Sequence, residues 1–181
     1  MGGEIGVTSS SGTGSTFAFD LEVEVIAWEV EAAAESPAAP ETTGGPLKIL
    51  LVEDHPVNRM ILEAWMRSMG HDCAMAESGR IACDMAETTP FDLIVMDVNM
   101  PVMDGLSATR AIRRSQGPNL AVPIAVLSAS ARPEDHALGF AAGADAYLDK
   151  PVDFATVALV LSAAPTGRSA VQALHLRRAT A

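Results

Sequence analysis

From Leu47 onward the chain repeats one pattern, a short aliphatic run followed by a stretch with helical spacing. The runs fall at 47–53, 72–76, 91–97, 123–128 and 145–149. Each is too short for a helix, and they read as strands. In the first intervening stretch Val57, Ile61, Ala64, Trp65 and Met69 form one helical stripe, with Arg59, Glu63 and Arg67 opposite. Further helices fit 79–88, 105–115, 133–142 and 153–163, and Gly70, Gly117 and Gly143 stand where left-handed helix caps are expected. Strand and helix in alternation predict βαβ units with right-handed crossovers. The expected fold is α/β: a doubly wound (βα)5 sandwich around a five-stranded parallel sheet.

Charge separates this part from what precedes it. Of the 23 acidic residues, eight lie in residues 1–46, which contain no Lys or Arg, whereas the remainder is near neutral. The segments 4–8 and 17–25 read as strands of a hairpin, the second alternating Phe17, Phe19, Leu21, Val23 and Val25 with small or acidic residues; the Ser- and Gly-rich 9–15 between them reads as a flexible connection. A stretch rich in Ala, Pro, Glu and Gly follows and reads as a disordered acidic linker over 27–46. The boundaries expected are therefore 1–26, 27–46, 47–165 and a C-terminal tail, 166–181, with disorder the default for that terminus. An acidic segment without a basic patch argues against nucleic acid or an anionic membrane as a primary partner. The apolar stretch 154–164 is shorter than the roughly 20 residues of a spanning helix. Two cysteines, Cys73 and Cys83, point to a reducing, cytoplasmic setting rather than a disulfide framework.

In a doubly wound sheet the carboxyl ends of all strands meet at one edge, where ligands bind at the topological switch point. Here that edge collects Glu53, Asp54, Asp97, Ser128 and Lys150. Singly, Asp97 reads as a helix cap, Ser128 as a turn residue and Lys150 as a surface charge. Together they imply chemistry, because buried carboxylates are costly unless paired or bound to a cation. His55 reads as a solvent-facing loop residue, and Met60, Met100 and Met103 as ordinary packing residues.

At these residues the sequence resembles the receiver domain of two-component response regulators, with its CheY-like, flavodoxin-like fold. The resemblance rests on Val52-Glu-Asp-His-Pro-Val-Asn58, Met96-Asp-Val-Asn-Met-Pro-Val-Met-Asp-Gly105, Pro123-Ile-Ala-Val-Leu-Ser-Ala129 and Gly143-Ala-Asp-Ala-Tyr-Leu-Asp-Lys-Pro151, in order across about 47–163. It implies Asp97 as phosphoacceptor, Glu53 and Asp54 as the acidic pair holding Mg²⁺, a metal contact from the main-chain carbonyl of Asn99, and Ser128 as a hydroxyl switch. It further implies Tyr147 as an aromatic switch, turning inward on phosphorylation, Lys150 as the phosphoryl-binding lysine, and a cis peptide before Pro151. The glycine-rich segment 2–19 resembles the last box and final hairpin of a histidine-kinase ATPase domain, so the order of segments resembles the C-terminal half of a hybrid sensor kinase.

The implied function is acceptance of a phosphoryl group from phosphohistidine in a phosphorelay, with a histidine kinase or histidine phosphotransfer domain as partner. The fragment itself is expected to lack kinase activity, to touch no membrane, and to lie in the cytoplasm even where its parent kinase is membrane-associated. Members of the family also pair through the face of the fourth helix, fifth strand and fifth helix, which leaves a homodimer open. Two rivals stand beside this reading. A Mg²⁺-dependent phosphohydrolase of the haloacid-dehalogenase kind would use Asp97 as nucleophile but wants an acid two residues later, where Asn99 stands. A docking receiver that is never phosphorylated would have no need for the intact set of acids, hydroxyl and lysine.

Overall fold

The computed structural model describes residues 4–10, 12, 14–20, 45–130 and 132–178. The expected strand residues 21–25 and nearly all of the expected linker 27–46 lie outside them. The chain divides into two units, residues 1–36 and 37–181.

In the first unit β1 (Ile5–Ser10) pairs antiparallel with β2 (Gly14–Phe19). The ladder reaches Ser10 opposite Gly14, so Ser9, Ser10, Gly14 and Ser15 of the segment expected to be a loose connection are strand, with Gly12 in a turn between them. Ile5 faces Phe19 and Val7 faces Phe17 across the ladder, and all four are exposed.

The second unit contains β3 (Lys48–Val52), α1 (Pro56–Ser68), β4 (Asp72–Ala76), α2 (Gly79–Thr88), β5 (Leu93–Asp97), α3 (Gly105–Arg114), β6 (Ile124–Ser128), α4 (Pro133–Ala142), β7 (Ala146–Asp149), α5 (Phe154–Ala163) and α6 (Arg168–Arg178). The five strands pair in parallel in the order β4-β3-β5-β6-β7, as the alternation of runs and helices predicts. Successive strand residues point to opposite faces, which divides the core in two. Leu50, Val52, Ile94, Met96, Ile124 and Val126 pack with residues of α2 and α3. Ile49, Leu51, Leu93, Val95, Ala125 and Leu127 pack with residues of α1, α5 and α6.

The helix ends follow local chemistry. Ser78, Asp104 and Asp153 cap α2, α3 and α5 by accepting hydrogen bonds from the main-chain N–H groups of Ile81, Ser107 and Thr156. Pro56 and Pro133 start α1 and α4, where a missing N–H costs nothing. Gly143 is the left-handed C-cap of α4, and Gly70 follows α1 with positive φ. Gly117 has no positive φ; it lies beyond the extended C-cap Ser115 and is not a cap.

Three further expectations are corrected. The buried side of α1 is Leu62 and Met66, with Trp65 and Met69 beside them, whereas Val57 and Ile61 of the expected stripe are exposed. Met60 is exposed as well, while Met100 is buried and Met103 packs against the core. The expected tail is not loose through residue 178: it forms α6, whose Val171 is completely buried and whose Leu174 packs against the same core.

Candidate functional site

The sheet ladder continues one residue past the strands and fixes the directions of the groups that follow. Glu53 N donates to Ala76 O at 3.1 Å, Val98 N to Leu127 O at 2.9 Å and Lys150 N to Ser128 O at 2.7 Å. Glu53, Asp97 and Ser128 are thereby held on adjacent strand ends, all three buried. The chain turns into α3 directly above Asp97, with Gly105 N donating to Val98 O. A Cβ on Gly105 would stand 1.9 Å from the Asp97 carbonyl oxygen, so no other residue fits without displacing the acidic loop. Within that loop the exposed Val102 has φ of 70°, a conformation unfavourable for a β-branched residue. The Lys150–Pro151 peptide is cis, in agreement with the resemblance.

Ligand atoms of Glu53, Asp54 and Asp97 all lie within 4.8 Å of one another. Lys150 Nζ stands 2.8 Å from Glu53 Oε2 and 2.8 Å from Asp97 Oδ2, bridging the two buried acids. The other Glu53 oxygen accepts from His55 N at 3.2 Å and from Asn58 Nδ2 at 3.3 Å. Asp97 Oδ1 accepts from Asn99 N at 3.2 Å. The cluster of three carboxylates therefore holds one ammonium, paired with two of them, and among the described residues the half-exposed Asp54 carboxylate has no hydrogen-bond donor. A set of hard oxygens with uncompensated negative charge suits a hard divalent cation.

Burial pushes the Asp97 carboxyl above its usual range; the Lys150 hydrogen bond opposes this, and the negative charge of Glu53 adds to it. Burial alone would lower the Lys150 ammonium, but its hydrogen bonds to Asp97 and Glu53 outweigh that, and the net direction is upward. Lys150 thus stays charged at neutral pH.

All the sequence-selected residues except Tyr147 line this edge. Ser128 Oγ donates to Ser130 O at 3.2 Å and accepts from Ser130 N at 3.1 Å, and so makes no bond with Asp97 here. Tyr147 lies inward: it is buried, its hydroxyl donates to Asp135 O at 2.8 Å, and its ring stacks on His136 with centroids 4.3 Å apart. This is the inward rotamer that phosphorylation is expected to favour. Gly139 makes it available, since a Cβ there would stand 2.2 Å from Tyr147 Cε2. His55 is exposed, as expected.

Arg59 was not among the selected residues. Its Nη1 donates to the main-chain carbonyls of Glu53 at 2.7 Å and Asp54 at 3.3 Å, holding the backbone of the acidic pair. Helical spacing alone assigned it to the solvent face.

The sequence pattern of the response regulator receiver domain matches residues 49–162. The chain belongs to this family. The sensor protein EvgS of Escherichia coli K12 is 35% identical over 154 residues, 84% of this chain but 12% of EvgS, so the receiver chain spans about an eighth of that relative. A solved receiver domain of a Pseudomonas aeruginosa sensor histidine kinase, with a magnesium ion coordinated in its active-site cleft, is 40% identical with a TM-score of 0.60; the match covers 65% of this chain and 95% of that one. The receiver domain of a Saccharomyces cerevisiae response regulator, crystallised with a histidine phosphotransfer protein, is another neighbour. That co-crystal structure matches at 27% identity and a TM-score of 0.61, over 67% of this chain and 90% of that one. The protein is a receiver domain of two-component phosphorelay signalling. Among the described residues, no helix is long and apolar enough to cross a membrane.

Proposed function

We propose that Asp97 accepts a phosphoryl group from a phosphohistidine and that Glu53, Asp54, Asp97 and the main-chain carbonyl of Asn99 hold Mg²⁺, Glu53 acting through water. The observation that carries this reading is the bridging Lys150 ammonium, 2.8 Å from both Glu53 and Asp97, beside a third carboxylate without a protein partner. An Asp97 oxygen attacks phosphorus as the P–N bond breaks, and the donor imidazole keeps the bond pair. Lys150 offsets charge on one phosphoryl oxygen, and Ser128 turns its hydroxyl from Ser130 O to another. The ion, when bound, supplies positive charge against the remaining oxygens. Catalysis of this kind is positioning and electrostatics. The magnesium reported in the Pseudomonas receiver supports the donor set. The phosphohydrolase rival finds no support, because Asn99 contributes an N–H to Asp97 and no second acid follows there.

The partner is read as a histidine phosphotransfer domain. Exposed Ile61 on α1 lines a cleft of about 510 Å³ with Trp65, Lys150 and Pro151, an apolar approach to the acidic edge, and Val57 and Met60 are exposed on the same helix. The yeast complex supports a partner of that class. We read the first unit as the end of a histidine-kinase ATPase domain in a cytoplasmic region of a hybrid kinase. The EvgS similarity supports this, since its 154 residues exceed the stretch matched as receiver. The divisions 1–26, 27–46 and 47–165 follow this reading, with α6 added to the receiver body.

Acetyl phosphate with Mg²⁺ should add one phosphoryl group, seen by intact mass, and Asp97→Asn should abolish it. An unchanged mass shift in that variant places the acceptor elsewhere. Ile61→Asp should slow transfer from a phosphotransfer domain while leaving uptake from acetyl phosphate intact; equal loss with both donors refutes the docking face.

A further inference from the structure

At the opposite edge of the sheet lies a cleft of about 530 Å³ between α3, the end of α4 and the start of α6. Arg110, Arg113, Arg114 and Arg168 line it. Among the described residues, Asp145 is the one carboxylate they pair with: fully buried, it accepts from Arg113 Nη2 and Arg168 Nε at 2.8 Å each, while Arg110 acts on the more distant Asp104 by charge alone. Four guanidinium groups against Asp145 and the more distant Asp104 leave a local charge of +2 in a chain whose net charge is −11.

The surplus is not explained by the helix. The dipole of α3 favours Arg113 and Arg114 in its last turn. It does not account for Arg168, on another element, or for Arg110, which stands four residues before Arg114 where like charges repel. Other described arginines have partners: Arg67 meets Glu63, Arg80 meets Asp84, Arg132 meets Asp135, and Arg59 meets two carbonyls. Among the described residues, Arg110 and Arg114 make no hydrogen bond or ion pair, and Arg110 feels only the more distant charge of Asp104. Arg113 is fixed, with Nε on Gly143 O at 2.9 Å and Nη1 on Leu120 O at 3.1 Å, so the floor of the cleft is rigid. Burial pulls its guanidinium down to about 10, with Arg168 adding repulsion; it stays charged at neutral pH. The remaining walls, Leu120, Ala121, Ala141 and Ala142, are small or apolar and leave the guanidinium forks of Arg110 and Arg114 open.

We propose that this cleft binds a diphosphate-bearing small molecule. Guanidinium groups match phosphoryl oxygens in pairs, a diphosphate carries at least the two negative charges needed, and the volume falls within the range of small-molecule sites. Inorganic pyrophosphate and a nucleoside diphosphate share this chemistry. The site is independent of phosphoryl transfer at Asp97.

The test is titration of the full ¹⁵N-labelled chain, without Mg²⁺ and at constant ionic strength, with pyrophosphate and separately with ADP. Saturable shifts of Leu120, Ala141, Gly143 and Arg168 are expected, weakened about tenfold in Arg110→Ala/Arg114→Ala and retained in Arg67→Ala/Arg80→Ala. Tighter binding of ADP identifies a nucleotide as the ligand; equal or tighter binding of pyrophosphate identifies the diphosphate alone. The proposal is overturned by the absence of saturation through the millimolar range, by shifts confined to Asp54, Asp97 and Lys150, by equal weakening in both double variants, or by the same shifts with chloride.

Discussion

Asp97 and Asp145 are both buried aspartates at opposite edges of one sheet, and their surroundings differ in sign. Asp145 is met by four donors: Arg113, Arg168, Gln172 and the main-chain N–H of Ile124. Asp97 is met by two, and one of them, Lys150, is shared with Glu53 while Asp54 adds a further negative charge. A buried charge with its hydrogen bonds complete fastens elements together; one left short of cations has capacity for an incoming positive charge and the anion it brings. Burial alone therefore does not distinguish a structural carboxylate from a reactive one. The balance of donors does.

The largest effect expected is on stability. Asp145→Ala leaves Arg113 buried without its carboxylate and should cost about 3–5 kcal/mol in denaturant unfolding. Asp97→Asn removes a charge from a crowded group, and the loss should not exceed about 1 kcal/mol. Equal destabilisation by the two substitutions would break the contrast. A smaller effect separates the donors themselves. Gln172→Ala removes one of four partners of Asp145 and should cost about 1 kcal/mol, with phosphoryl uptake from acetyl phosphate unchanged; loss of uptake would show that the two edges are coupled.

The smallest effect concerns a third buried polar group. His71 Nδ1 accepts from Leu47 N at 3.2 Å, and its Nε2 is buried without a partner. Burial lowers its pKa, so the folded state prefers the neutral ring. The stability tied to this ring is present above the unfolded value of about 6.5 and is lost as pH falls from there through the lowered folded value. His71→Gln should flatten the change in melting temperature between neutral and mildly acidic pH; an unaltered slope would show that other groups carry it.

The strands and the acidic edge were legible in sequence because aliphatic runs end in charged residues, a local signal. Asp145 was in view only within Gly143-Ala-Asp-Ala-Tyr147, and nothing nearby signals its role. Its partners Arg113 and Arg168 lie 32 and 23 residues away along the chain. The face of α1 was misread because that helix is apolar on two sides: Leu62 and Met66 pack on the sheet, while Ile61 borders the cleft beside Lys150. Periodicity finds an apolar stripe but not which of two meets the core. α6 escaped notice because a basic terminus without acids gives little helical signal, and its docking depends on the distant Asp145.

The missing side chain of Gly139 has a consequence for how the receiver is set at rest. With no Cβ at that position, the ring of Tyr147 settles against α4. A single methyl group at 139 would stand 2.2 Å from Tyr147 Cε2 and force the ring off that helix. Position 139 therefore sets where the aromatic ring can lie, without altering an atom of the acidic edge.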